Sequence, residues 1–125
     1  MALIIFDLDG TLIDSSDDLV GAMNETASKH GLTPLPKATF GNTPGKGGMA
    51  MLSVLKNMHQ DTWTIDESTF VQDFRAAYGA RHTQSTSIYP GVVDVLETLR
   101  QLGIKTAICT NKPEHFAIEI CTHLS

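Results

Sequence analysis

The chain has 125 residues, of which 42% are hydrophobic and 18% charged, and its formal net charge is −5. This mildly acidic balance argues against nonspecific binding to nucleic acid. No apolar stretch is long enough to span a membrane, and Asp7 and Asp9 interrupt the opening apolar run, so we expect no signal peptide and a cytoplasmic location. Cys109 and Cys121 lack a metal-ligand spacing and are expected to be buried free thiols.

The first predicted element is a strand that leads directly into two carboxylates. Leu3 to Phe6 is apolar at every position, which is typical of a buried strand. Asp7 follows the strand and Asp9 comes two residues later, so both side chains are expected on the same side. Two ionised carboxylates at this spacing repel each other, and a bound divalent cation relieves that repulsion. Mg²⁺ suits a site with one or two carboxylates and a phosphate oxygen. One carboxylate is then suited to attack phosphorus and the other to transfer a proton.

The residues after the carboxylates suit a phosphate site. Gly10 allows a sharp turn, and Thr11 offers a hydroxyl and a backbone N–H to phosphate oxygens. The alternative is that Asp9-Gly10 is an ordinary turn that ends a strand.

The middle of the chain has the apolar spacing of helices. Ser15 with Asp18 fits a capping box, which predicts a helix that stops near Gly31. A turn-rich segment, Gly41 to Gly48, follows. Two further helices are predicted from apolar faces at Met49, Leu52, Val54, Leu55 and Met58, and at Ile65, Phe70, Phe74, Ala77 and Tyr78.

The last part of the chain alternates helix, strand and helix. The core face of the first helix is predicted at Val92, Val93, Leu96, Leu99 and Leu102, and Gly103 closes the helix. The strand from Ile104 ends in Thr110-Asn111, and Phe116, Ile120 and Leu124 indicate a final helix. A small donor before a helix N-terminus makes an oxyanion site, although a loop with a helix cap gives the same pattern.

The stretch from Asp7 to Ser15 resembles the first motif of the haloacid dehalogenase-like superfamily of phosphatases and phosphotransferases. Within it the chain resembles the phosphoglycolate phosphatase-like branch, which carries a helical cap inserted after that motif. The resemblance implies that Asp7 is the nucleophile, that Asp9 is the general acid/base, and that Mg²⁺ is held by the Asp7 side chain and the Asp9 carbonyl. It also implies that Thr110 binds the transferring phosphoryl group, with Asn111 as a neighbouring contact.

The same resemblance implies an α/β fold with a Rossmann-like parallel sheet core, incomplete here, and an inserted α-helical cap. Residues 1–15 and 83–125 would form the partial core and residues 16–82 the cap. No Ser or Thr follows Lys46 in Gly45-Lys46-Gly47-Gly48, so this segment is not a P-loop. In the resembled branch a glycine-containing cap segment faces the active site. Lys46 is therefore either a contact for a second anionic group of the substrate or a solvated loop lysine.

The chain also departs from the family pattern. The family has a third-motif Lys and a fourth-motif acidic pair after the second motif. Lys112 comes too early to be that Lys, and the acidic pair has no candidate. We therefore expect these residues to match only the amino-terminal part of such a phosphatase and to have little or no activity by themselves. Exposed strand edges would favour a homo-oligomer or a domain swap.

The sequence thus predicts an Mg²⁺-dependent phosphatase of small phosphorylated metabolites, phosphoglycolate-like, that acts through an aspartyl-phosphate intermediate. The first alternative is a truncated, non-catalytic chain that self-associates. The second is a sugar-phosphate mutase, which shares the first motif.

Overall fold

The computed structural model describes residues 2–124, and its central element is a pair of parallel strands. Strand β1, Leu3–Phe6, pairs with β4, Lys105–Ile108, in the register Leu3 to Lys105 through Phe6 to Ile108. The N–H of Cys109 donates to the Phe6 carbonyl at 2.8 Å, which extends the pairing to the ends of both strands. The residues that follow β1 and β4 therefore lie at the same edge of the sheet. The α/β class with a parallel sheet is confirmed.

A second, shorter sheet lies where the chain enters and leaves its helical part. Strand β2, Ile13–Asp14, pairs antiparallel with β3, Ser87–Ile88. We call residues 16–79, between these strands, the helical region. We call residues 2–14 and 87–124 the sheet region.

The helical region has its own apolar interior. Its elements are α1 Ser16–Lys29, α2 Lys37–Phe40, a 3-10 turn Thr43–Lys46, α3 Gly48–Met58 and α4 Glu67–Gly79. Helix α1 packs mainly against α4. Nine hydrophobic side chains here are at most 2% exposed: Ala22, Met23, Ala27, Phe40, Met51, Leu52, Leu55, Phe70 and Tyr78. The predicted helices are therefore present, but Met49 and Met58, on the predicted apolar face of α3, are 55% and 58% exposed.

The sheet region is covered by two helices of very different burial. Helix α6, Glu114–Leu124, buries Phe116 and Ile120, whereas α5, Val92–Gln101, buries none of its residues. No helix within residues 2–124 combines the length and the apolar character needed to cross a membrane.

Three burial predictions for the sheet region are wrong. Leu3 and Ile5 are 57% and 61% exposed, so β1 is not a buried strand. Val93, on the predicted core face of α5, is 60% exposed. Cys109 is exposed as well, and Cys121 is only partly buried, although both are free thiols. Parallel strands are normally buried because helices cover both faces of the sheet. A sheet of two strands is narrow, so its side chains stay largely exposed.

The predicted capping box at the start of α1 is also wrong. Ser15 is the N-cap residue, but its side chain caps no helix N–H. Its hydroxyl instead donates to Asp9 at 2.5 Å. The Asp18 carboxylate accepts from the Ser85 N–H and the Thr86 hydroxyl, each at 2.9 Å. Both side chains thus bind tertiary partners, which local sequence spacing does not reveal.

Candidate active site

The turn after β1 is held by backbone hydrogen bonds. The Leu8 carbonyl accepts from the N–H groups of Thr11, Leu12 and Ile13 at 3.2, 3.0 and 3.2 Å. Gly10 has φ of 79°, in the left-handed region that favours glycine. Since the Thr11 N–H is used within the turn, a phosphate contact from Thr11 would come from its hydroxyl.

The two carboxylates of the turn differ in burial. Asp7 is exposed, and its Oδ1 accepts from the Leu8 N–H at 2.8 Å. The Asp9 side chain is only 9% exposed. Two hydrogen-bonding groups converge on Asp9 Oδ1, the Ser15 hydroxyl at 2.5 Å and the Lys112 ammonium at 3.2 Å. The structure thus gives one exposed carboxylate and one that is largely buried.

Parallel pairing brings the second predicted motif to the same edge. Thr110 follows β4 and is partly buried, and its Oγ1 accepts from the Lys112 N–H at 3.1 Å. Its hydroxyl hydrogen can still donate to a ligand oxygen. Asn111 is exposed beside it. Thr110 therefore shapes the loop before α6, and this geometry also suits contact with an anion.

Lys112 is the residue that sequence reasoning underestimated. Its side chain is 3% exposed, and its ammonium contacts both Asp9 and the hydroxyl of Tyr78 in α4. Burial lowers the pKa of Lys112, and the nearby carboxylates of Asp9 and Asp18 oppose that change. Burial, followed by the same two carboxylates, raises the pKa of Tyr78. The signal available in the sequence was a lysine directly after Thr110-Asn111, which keeps it at the edge of the sheet.

The glycine-containing segment of the helical region approaches both turns. A Cβ at position 45 would lie 3.5 Å from the Asp9 carbonyl oxygen, and one at position 47 would lie 3.9 Å from the Asn111 Cβ. Lys46 itself is exposed in the 3-10 turn. Its neighbours therefore lie at the candidate site, and its contact with a substrate stays a prediction.

A cavity of about 120 Å³ lies between the helical region and the loop before α6. Its walls are mostly apolar, and Arg75, Asn111 and Lys112 supply its polar groups. The apolar walls include Leu52, Phe70, Phe74, Tyr78 and Phe116. The cavity adjoins the motif residues through Asn111 and Lys112.

Potential metal ligands are sparse among the side chains that the structure describes. Within residues 2–124, no three His, Cys, Asp or Glu side chains come close enough to hold a metal ion together. The oxygen donors at the edge of the sheet are the Asp7 carboxylate and the Asp9 carbonyl.

Comparison with known proteins gives one consistent family. The family model of haloacid dehalogenase-like hydrolases matches residues 1–125. Phosphoglycolate phosphatase of Agrobacterium fabrum is 33% identical over 123 residues, which cover 98% of this chain and 53% of that protein. The Caulobacter vibrioides phosphoglycolate phosphatase is 39% identical over 114 residues, covering 89% and 47% respectively.

Solved structures agree with this family. The crystal structure of a predicted phosphoglycolate phosphatase from Haemophilus somnus superimposes with a TM-score of 0.87 at 28% identity, covering 100% of this chain and 58% of that one. The chain thus spans about half the length of the relatives it matches. The resemblance carried by the first fifteen residues and by Thr110-Asn111 is confirmed.

Proposed function

Because the chain belongs to the haloacid dehalogenase-like hydrolase family, we propose that its residues form part of an Mg²⁺-dependent phosphatase. The substrate would be a small phosphorylated metabolite such as phosphoglycolate. The observation that carries the proposal is the parallel pairing of β1 with β4, which brings Asp7 and Thr110 to one edge of the sheet. The phosphoglycolate phosphatase relatives support the substrate class.

The two carboxylates have separate roles in the proposed reaction. Asp7 is exposed, so its oxygen can attack phosphorus while the ester P–O bond breaks, giving an aspartyl-phosphate. The leaving oxygen takes a proton from the Asp9 carboxylic acid, and the Asp9 carboxylate later takes one from the water that hydrolyses the intermediate. The Thr110 hydroxyl donates to the phosphoryl oxygens.

The two oxygen donors at this edge of the sheet are of the kind that Mg²⁺ binds. Asp7 offers the carboxylate oxygen that the Leu8 N–H does not bind, and Asp9 offers its carbonyl. Hard oxygen donors of this kind, completed by waters and phosphate oxygens, are what Mg²⁺ prefers. When bound, the ion would neutralise charge on the phosphoryl group. With these two donors alone we expect weak binding, and therefore little or no turnover by residues 1–125.

The test compares the 125-residue chain with a chimera in which the remaining half of a phosphoglycolate phosphatase relative follows it. We expect the chimera to release phosphate from phosphoglycolate only with Mg²⁺, and Asp7→Asn to abolish that release. Asp61→Asn, an exposed aspartate in the loop before α4, is the matched control and should retain it. A chimera that folds and retains full turnover with Asp7→Asn would remove Asp7 from the nucleophile role.

Thr110→Val in the same chimera tests the phosphoryl contact. Valine keeps the shape and removes the donor, and loss of one such donor costs about 10²–10³-fold in turnover. Thr106→Val, an exposed position on β4, is the control. Equal rates for the two variants would mean that Thr110 only shapes the loop.

A second candidate function is favoured by the exposed apolar side chains of the sheet region. A non-catalytic chain that self-associates would cover Leu3, Ile5 and Val93, each more than half exposed. Measurement of the mass of the chain over a range of concentrations tests this alternative.

A further inference from the structure

We propose that Lys112 is a positioning residue, which holds the Asp9 carboxylate in place and ties it to helix α4 through the hydroxyl of Tyr78. The proposal rests on the proposed function only in the role that it gives to Asp9. The contact itself lies entirely within the described residues.

The geometry joins three separate parts of the chain at one ammonium group. Lys112 lies between β4 and α6, Asp9 lies in the turn after β1, and Tyr78 lies near the end of α4. The Lys112 Nζ is 3.2 Å from Asp9 Oδ1, contacts the Tyr78 hydroxyl, and lies 4.3 Å from the centroid of the Tyr78 ring. An ammonium group has three donors and also interacts favourably with an aromatic face. The two partners therefore fix the position of the lysine from opposite regions of the protein.

The burial of Asp9 makes this cation important for the orientation of its carboxylate. Asp9 and Lys112 side chains are 9% and 3% exposed, so water screens their interaction poorly. Without the ammonium, Asp9 would keep the Ser15 hydroxyl as its hydrogen-bond donor. A buried carboxylate that loses its cation is strongly destabilised and tends to turn towards water.

The packing of Tyr78 allows its hydroxyl to be tested separately from its ring. The ring stacks on Phe74 at 6.1 Å between centroids and meets Phe116 edge-on at 5.0 Å. Because these contacts involve ring atoms, Tyr78→Phe keeps them and removes only the contact between the hydroxyl and Lys112. Removal of this one oxygen atom therefore tests the hydrogen bond between Tyr78 and Lys112 without changing the packing of the ring.

The experiment uses the 125-residue chain labelled with ¹³C and ¹⁵N. It follows the Asp9 carboxyl ¹³C resonance and the hydrogen exchange of the amides near the two junction strands, β2 and β3. Lys112→Met removes the charge at similar length, Lys112→Arg keeps a cation, and Tyr78→Phe removes the hydroxyl. The matched controls are Lys105→Met on β4 and Tyr89→Phe after β3.

We expect Lys112→Met to move the Asp9 resonance well outside the spread of the two controls. It should also raise hydrogen exchange at the junction amides by about tenfold, the scale set by one lost buried hydrogen bond. Tyr78→Phe should move the Asp9 resonance in the same direction by a smaller amount. Lys112→Arg should restore most of the Asp9 shift.

An unchanged Asp9 resonance in folded Lys112→Met would show that the lysine only fills space, and would overturn the proposal. An unchanged Asp9 resonance in Tyr78→Phe would refute the tie to α4. If Lys112→Met does not fold, the Asp9 resonance in Tyr78→Phe is the measurement that tests the proposal. None of these readouts requires turnover, so an inactive chimera would count against the proposed function and not against this contact.

Discussion

The helical region and the sheet region bury their apolar side chains to very different extents. Phe40, Phe70 and Met51 in the helical region are at most 1% exposed. In the sheet region, β4 is exposed at every position and α5 buries no residue. Helices of the first region pack against one another, whereas β1 is only partly buried and β4 is exposed along its whole length.

This difference shows that the two regions obtain stability from different sources. Burial of apolar area is the main favourable contribution to folding, so the helical region should contribute most of the stability of the chain. The sheet region carries the candidate chemistry, and it depends on contacts across the junction, such as those of Asp18 and Lys112. Substitutions matched in chemistry but placed in different regions can test this division.

The largest effect is expected from truncating a buried aromatic side chain in the helical region. Phe70 is 0% exposed and contacts Trp63 and His30, so Phe70→Ala should lower the free energy of unfolding by about 3–5 kcal/mol. Val93→Ala, at a position 60% exposed in α5, should change it by at most about 0.5 kcal/mol. Urea unfolding followed by circular dichroism measures both. Similar losses in the two variants would contradict the division.

The next effect concerns the junction between the regions. Asp18→Ala leaves the Ser85 N–H and the Thr86 hydroxyl without their acceptor, and we expect a loss of about 1–3 kcal/mol in the free energy of unfolding. Asp94→Ala on the exposed helix α5 is the matched control. Hydrogen exchange at the Ser85 amide locates the effect. A loss no larger than that of the control would mean that Asp18 does not link α1 to the strand that follows the helical region.

Self-association tests whether the exposed side chains of the sheet region form an interface. Ile5 on β1 and Met58 on α3 are 61% and 58% exposed, so they differ in region rather than in exposure. We expect Ile5→Lys to weaken self-association by at least about tenfold in Kd, or about 1.4 kcal/mol, because charge on a strand blocks pairing and burial. Met58→Lys should leave it unchanged. Light scattering over a range of concentrations gives the mass, and a monomeric parent at all concentrations would remove the self-association alternative.

Sequence spacing predicted the five longer helices and the strands β1 and β4, because each shows local apolar periodicity. The two-residue strands β2 and β3 were not predicted. The helix over Phe70 and Tyr78 and the strands before Asp7 and Thr110 all follow from apolar spacing and from the residues that end them. The parallel pairing of those strands came from the family resemblance, and it places both motifs at one edge. The roles of the motif residues stay predictions.

What local pattern could not predict depends on partners far along the chain. Ser15 and Asp18 have capping-box spacing, yet Asp18 binds Ser85 and Thr86, 67 and 68 residues later, and Ser15 binds Asp9 in the preceding turn. The face of α5 has helical periodicity, yet its residues Val92, Leu96 and Leu99 are only partly buried. The position of Lys112 after Thr110-Asn111 placed it near the site, but its contact with Tyr78, 34 residues earlier, could not be read from local spacing.

The smallest effect concerns Asp14, where the sheet region leads into α1. Its Oδ1 accepts from the Ser16 hydroxyl at 2.6 Å and from the Ser16 N–H at 3.2 Å, and these bonds, the hydroxyl first, lower the pKa of Asp14. Since the folded-state pKa lies below the unfolded value of 3.8, the stabilisation is complete above that value. It is lost as the pH falls through the lower, folded-state pKa.

The effect of Asp14→Ala should therefore shrink in acid. At neutral pH we expect a loss of at most about 0.5 kcal/mol in the free energy of unfolding, because solvent screens this partly exposed carboxylate. Below the folded-state pKa the difference from the parent should be smaller, since the parent carboxyl is then protonated as well. Urea unfolding of parent and variant at neutral pH and at a series of acidic pH values measures this change, with Asp61→Ala as the control. A difference that stays constant with pH would mean that the hydrogen bonds to Ser16 stabilise the junction independently of the charge on Asp14.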